Sequence, residues 1–326
     1  MFANNSKLKA LLGNDNNLML EPLLQTQTLK FQLIALSLSH LALKEPPYFL
    51  HHQNDLRVID LSHNNITKGF PSWLFMNNTG LEVLKLGYNS ISEPLQLPSH
   101  PHFNITILDV TRNGLQGKFP INMSSVFPYL TKFIMPKNSF RDQIHASLGD
   151  IKSLKYLKLS NNHFSDSIRE SFGCLSSLAY LDLSNNQLSE GIPKLLVLGC
   201  LLEVLILYCK NLRRQVFLLL FNATYLLVLQ LGDNNFVGEV PEFSSINFFS
   251  PWIIDMSNNH ISSKLPRWMG NISSLYGLFL SKNHFEGPIP IEFLALIALI
   301  FLTAHTTTCL ALYQNALIQF QYDMFI

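Results

Sequence analysis

Charged side chains are scarce in this 326-residue chain. Lys and Arg number 23 and Asp and Glu 22, together 14% of the residues, for a formal net charge of +1. Nucleic-acid-binding domains show a basic face and a positive excess, so the balance gives that class no support, and no nucleic-acid partner is expected. Cysteine is scarcer still, at Cys174, Cys200, Cys209 and Cys309. No C-x-x-C pair and no His at ligand spacing accompanies them, which removes the usual zinc patterns. Neither H-R-D nor D-F-G occurs, so nothing here is kinase-like. The N-terminal stretch "MFANNSKLKALLGNDNN" has no basic region followed by an apolar h-region, and no signal peptide is visible. There is no acidic or basic tail and no low-complexity linker.

What the chain does have is a repeat. The pattern L-x-x-L-x-L-x-x-N starts at Leu33, Leu56, Leu81, Ile105, Leu130, Leu154, Leu178, Leu202, Leu226, Pro251 and Leu275, in steps of 23 to 25 residues. A degenerate copy starts at Leu8. The ninth position holds Asn64, Asn89, Asn113, Asn138, Asn162, Asn186, Asn234, Asn259 and Asn283, and fails at Leu41 and Lys210. A fixed period of this length decides the fold before any local reading. The expected fold is an α/β-type leucine-rich repeat solenoid of 11 to 12 repeats of about 24 residues, with a parallel β-sheet on its concave face. In "LAYLDLSNN", Leu178, Leu181 and Leu183 point inward and stack on their equivalents in neighbouring coils. One coil alone cannot bury its apolar side, so stability comes from stacking. The Asn column sits where the chain leaves the sheet. Its amide can satisfy backbone groups left unpaired by the bend, so it reads as structural rather than catalytic.

The segments after the Asn read "ITKGFP", "LQGKFP", "LSEGIP", "FVGEVP", "ISSKLP" and "FEGPIP". With the 24-residue length, they resemble the L-x-G-x-I-P signature of plant extracellular leucine-rich repeats. Longer runs such as "NDLRVIDLSHNNITKGFPSWLFMNNTGLEVL" are similar to plant receptor-like proteins. The resemblance covers about residues 6 to 292. The signature Gly is in register only at Gly117, Gly238 and Gly287, and repeats five, six and eight lack both Gly and Pro, so irregular outer edges are expected there. The resemblance implies a ligand-recognition region of a cell-surface receptor-like protein at the plasma membrane, facing outward. Such a protein binds a peptide or protein and acts in signalling or defence through a partner receptor kinase. A second class with this repeat type is the secreted inhibitors of cell-wall-degrading enzymes; the missing paired-Cys caps count against it. A non-functional gene fragment is the third reading. The uncapped start suggests an internal piece of a longer receptor-like protein or a shortened gene product.

Three segments follow from this: 1–30 as a degenerate, uncapped first repeat, 31–292 as the solenoid, and 293–326 as an apolar tail. Residues 293–313, "FLALIALIFLTAHTTTCLALY", are long enough to cross a bilayer. His305 and the Thr run interrupt them, however, and no Lys or Arg follows. Membrane association through this segment or through the parent chain stays open beside a tail packed on the last repeat. Seven sequons, at Asn4, Asn65, Asn77, Asn104, Asn122, Asn222 and Asn271, are candidate N-glycosylation sites. Asn77, Asn222 and Asn271 share one register, four residues before a repeat, on the convex side. Cys174 falls in that register too, and a disulfide joining Cys200 to Cys209 is left open.

Ligand contacts are expected at positions 2, 3, 5, 7 and 8 of each copy, whose side chains point away from the core. Arg112, Lys132, Lys137, Lys155 and Lys158 form a basic cluster there, with Tyr156 and Tyr180. Further along, Asp182, Asp233 and Asp255 lie with Trp252 and Tyr276. Aromatic side chains with adjacent charge are typical of recognition surfaces. No nucleophile, base and orienter share one face, so neither enzyme activity nor a cofactor is expected.

Overall fold

The computed structural model describes residues 6–16, 30–67, 69–215, 223–242, 251–295 and 301–303. It divides into two compact units, Met1–Leu212 and Arg213–Ile326. Each is built from coils of the same kind.

Among the described residues of the first unit, nine three-residue strands run from Ala10–Leu12 to Val204–Ile206. Each pairs in parallel with the next coil in strict register, as in Tyr156↔Tyr180↔Val204. The pattern's three leucines explain this. Leu178, Leu181 and Leu183 are wholly buried, as are Leu154, Leu157 and Leu159 one coil earlier. A slip of one residue would turn that row out to water. In the second unit the described strands Val228–Gln230, Ile253–Asp255, Gly277–Phe279 and Phe301–Thr303 pair in the same way. The last of these lies beyond residue 292, at the same 24-residue spacing, inside the segment read from sequence as a tail.

The Asn column is the second fastener. The Asn186 amide donates to the carbonyls of Leu183 (2.9 Å), Ser184 (3.2 Å) and, in the preceding coil, Leu159 (3.1 Å). Its Oδ1 accepts from the Phe164 N–H at 3.0 Å, again one coil back. Asn162, Asn138 and Asn64 do the same in the first unit, and Asn259 in the second. The expected bend-satisfying role therefore holds, and each Asn also ties its coil to the one before. Position 8, the residue ahead of the Asn, takes the left-handed conformation, with φ between 48° and 57° from His40, where Leu41 stands in the Asn column, through Asn185.

Where Lys210 replaces Asn, the chain adjusts by one residue. Cys209 turns inward and its thiol donates to the Leu183 carbonyl (3.3 Å), while Lys210 takes the left-handed backbone at φ 69°. Burial pushes the Cys209 thiol up to about 12. Cys174, Cys200 and Cys209 are all free thiols, so the structure holds no Cys200–Cys209 disulfide; Cys200 instead donates to the Phe172 carbonyl. Cys309 lies outside the described residues.

The expectation of irregular edges is overturned in repeats five and six; most of the outer edge of repeat eight lies outside the described residues. Strands Gln116–Lys118, Ser139–Asp142, His163–Ser167 and Gln187–Ser189 form a regular second parallel sheet in the first unit. In the second unit Arg213–Arg214 pairs with Asn235–Gly238 and that strand with His260–Ile261. From the copy at Ile105 to that at Leu202 the signature Gly position is left-handed whether or not Gly occupies it: φ is 92° at Gly117, 65° at Asp142, 74° at Asp166, 68° at Glu190 and 84° at Arg214. A non-glycine residue there costs about 1–2 kcal/mol in backbone strain, which the flanking ladder and buried Phe140 and Phe164 outweigh.

Candidate functional site

Four columns of side chains leave each coil on the side away from the core: positions 2, 3 and 5 at the strand, and position 8 in the left-handed turn. They do not contribute equally, because some are consumed by the fold. Asp60, Asp109 and Asp182 in the first unit, and Asp255 in the second, accept from the N–H and hydroxyl of the Ser or Thr two residues on, the hydroxyl at 2.6 Å in every case. This closes the strand's end. Asp182 is 4% exposed and also faces the Lys158 ammonium at 3.6 Å. Tyr156 and Tyr180 stack face to face, ring centroids 4.1 Å apart, and are buried as well. Their selection as ligand contacts is therefore corrected: Tyr156, Tyr180 and Asp182 point away from the core but are covered, since in-register pairing lays each side chain on its neighbour.

The cations fare differently. Arg112, Lys137 and Lys155 are exposed, and Lys132 and Lys158 half-buried. Lys132 lies in register between Ile107 and Tyr156. Burial, and after it repulsion from Lys85 and Lys155, holds its ammonium below the usual lysine range. Lys85, exposed at position 5 of an earlier coil, thus belongs to the basic group and escaped the sequence reading.

A longer feature escaped it too. Position 8 of successive coils reads Asp15, His40, His63, Tyr88, Arg112, and the structure joins them into one ladder. The His40 imidazole lies 3.1 Å from the Asp15 carboxylate. His40 stacks on His63 at 4.2 Å and His63 on Tyr88 at 4.1 Å. The Arg112 guanidinium sits 5.8 Å above the Tyr88 ring, within reach of a cation–π contact. The signal was present in the sequence, in the column itself, but a search for charge passes over His and Tyr. Burial, then His40, lowers the His63 pKa from its ordinary value.

In the second unit Trp252 and Tyr276 are 39% and 51% exposed. They sit in adjacent coils, the Tyr276 N–H donating to the Trp252 carbonyl at 2.8 Å. Asp233 is exposed and accepts from the Asn258 amide. Asp255 is half-buried and engaged with Ser257.

Of the sequons, Asn65, Asn104, Asn122 and Asn271 are exposed, and Asn77 is half-buried with its amide on the His51 carbonyl. Asn4 and Asn222 lie outside the described residues. Cys174 is exposed. Among the described residues no helix is long and apolar enough to cross a membrane, and most of 293–313 falls outside them.

Comparison with known proteins agrees with this geometry. Leucine rich repeat family models match residues 128–188, 55–77 and 252–272. Receptor-like protein 13 of Arabidopsis thaliana is 40% identical over 162 residues, covering 49% of this chain and 15% of its own. Cuscuta receptor 1 of Solanum lycopersicum is 33% identical over 291 residues, 81% of this chain and 22% of its own. The chain therefore spans a minor part of the length of the curated relatives it matches. Among solved structures, the leucine-rich repeat ectodomain of the plant membrane receptor kinase GASSHO1/SCHENGEN3 from Arabidopsis thaliana, in complex with CASPARIAN STRIP INTEGRITY FACTOR 2, superposes with a TM-score of 0.71. It is 25% identical, over 91% of this chain and 41% of that one. Repeat geometry and relatives together place the chain among the plant leucine-rich repeat receptor-like proteins.

Proposed function

We propose that the chain is a ligand-recognition region of a plant cell-surface receptor-like protein, which binds a peptide or protein outside the plasma membrane and signals, in defence or development, through a partner receptor kinase. The observation that carries this reading is the set of side chains that the coils hold away from the core and leave exposed or half-buried. In the first unit these are the ladder from His40 to Arg112 and the basic group of Lys85, Lys132, Lys137 and Lys155. The second unit offers Trp252 and Tyr276. Rigid aromatic rings and Arg are the residue types that dominate binding energy at interfaces, and a basic strip favours a ligand with carboxylates. The GASSHO1/SCHENGEN3 ectodomain, solved with a bound factor, supports a proteinaceous ligand. N-glycans are proposed at the exposed Asn65, Asn104, Asn122 and Asn271; they fit passage through the secretory pathway.

The test is to express the tagged chain in its parent protein in plant cells and recover it from membranes. A receptor kinase in the precipitate and a mobility shift on glycan removal are expected. Reversing Arg112 and Lys155 to Glu should abolish ligand-dependent phosphorylation of that kinase while leaving its co-precipitation intact. An unglycosylated protein recovered without any kinase would sink the proposal.

A further inference from the structure

The back of the first unit brings two cysteines together. Residues Glu170–Cys174 form one turn of 3-10 helix, and Lys194–Gly199 a short helix in the next coil. They pack backbone to backbone. A Cβ on Gly173 would overlap Leu195, and one on Gly199 would overlap the Gly173 carbonyl. Cys174 and Cys200 are the next residue of each coil. The Cys200 thiol points into the earlier turn, donating to the Phe172 carbonyl at 3.5 Å, and Cys174 is solvent-exposed. Proximity shows electrostatically as well: the Cys200 thiol is held up at about 11, by burial first and by Cys174 second.

From this juxtaposition we infer that Cys174 and Cys200 form a redox-active pair that closes into a disulfide between adjacent coils. The oxidant is a low-molecular-weight disulfide. The exposed Cys174 thiolate attacks one of its sulfurs and releases one small thiol, leaving a mixed disulfide. The Cys200 thiolate then displaces the second small thiol, forming the Cys174–Cys200 bond. Two protein thiols are oxidised, one small disulfide is reduced to two thiols, and the two protons go with them. The bond would clamp the coil that leads into the repeat where Lys210 replaces the ladder Asn. Cys200 is the poorly ionised partner, so the second step is the slow one and quickens with pH.

The experiment incubates the reduced, purified chain with oxidised glutathione at pH 7, 8 and 9, blocks remaining thiols, and maps peptides by mass spectrometry. A peptide pair joined through Cys174 and Cys200 is expected, its rate of closure rising about tenfold per pH unit. In Cys174→Ser, Cys200 should stay reduced. Glutathione retained on Cys174 at pH 9 with Cys200 still reduced would overturn the inference. So would Cys200 joined to Cys209 or Cys309, or a Cys174 that does not react.

Discussion

Replacing Asn186 by Ala tests the argument that the Asn column fastens one coil to another. Asn186 is 6% exposed and makes four hydrogen bonds to backbone, two of them to the preceding coil. Truncation leaves the buried Phe164 N–H without its acceptor and takes a donor from the Leu159 and Leu183 carbonyls. An abandoned buried polar group costs about 1–3 kcal/mol. Because a carbonyl keeps a second lone pair for other partners, the sum is about 3 kcal/mol. Asn186→Asp keeps the shape and the acceptor but turns a carboxylate toward three carbonyls. Its loss should be at least as large at pH 7. It should shrink as pH falls, because burial among carbonyls raises the folded-state pKa and the protonated form then donates again. Urea unfolding followed by circular dichroism reads both. An Asn186→Ala variant within about 0.5 kcal/mol of the parent would show that water satisfies these groups, and the ladder would then carry no stability.

Three further outcomes follow from the same coils. Glu190→Gly relieves a left-handed non-glycine residue at φ 68° and should stabilise by about 0.5 kcal/mol after the extra chain entropy of Gly; a fall in urea midpoint would contradict the strain argument. Gly173→Ala drives a methyl group into Leu195 and should cost about 1–3 kcal/mol, measured in the same assay. His102 is buried edge-on to Phe75, ring centroids 5.2 Å apart, and burial first, then His100, lowers its pKa from 6.5. The unfolded chain therefore takes up the proton more readily. The stability from a neutral His102 is present above pH 6.5 and lost as pH falls through and below that value. His102→Phe should reduce the drop in urea midpoint between pH 7.5 and pH 5.5, and an unchanged drop would refute the assignment.

The sequence by itself determined the coil. Leucines at positions 1, 4 and 6 and an Asn at position 9 have one common solution, because only stacked parallel strands bury every such row at once and give the Asn amide a use. The basic group was legible for the same reason: once the period is known, position in the coil says which side chains leave the core. Other matters depended on distances between coils, which a period alone does not contain. Tyr156, Tyr180 and Asp182 sit in the right columns, yet each is covered by a neighbour 24 residues away or held by Ser184, and exposure is a property of the stack. The run from Asp15 through His63 to Arg112 is five ordinary residues until left-handed turns bring their side chains to stacking distance. Asp142 and Asp166 break the glycine rule without breaking the edge, because a ladder with strands on both sides holds a strained backbone that an isolated turn would release. Cys174 and Cys200 differ by 26 residues, not 24, so no column aligns them. They are brought together because the helical turns on the back of these two coils pack Gly199 against Gly173, two residues out of step with the strands.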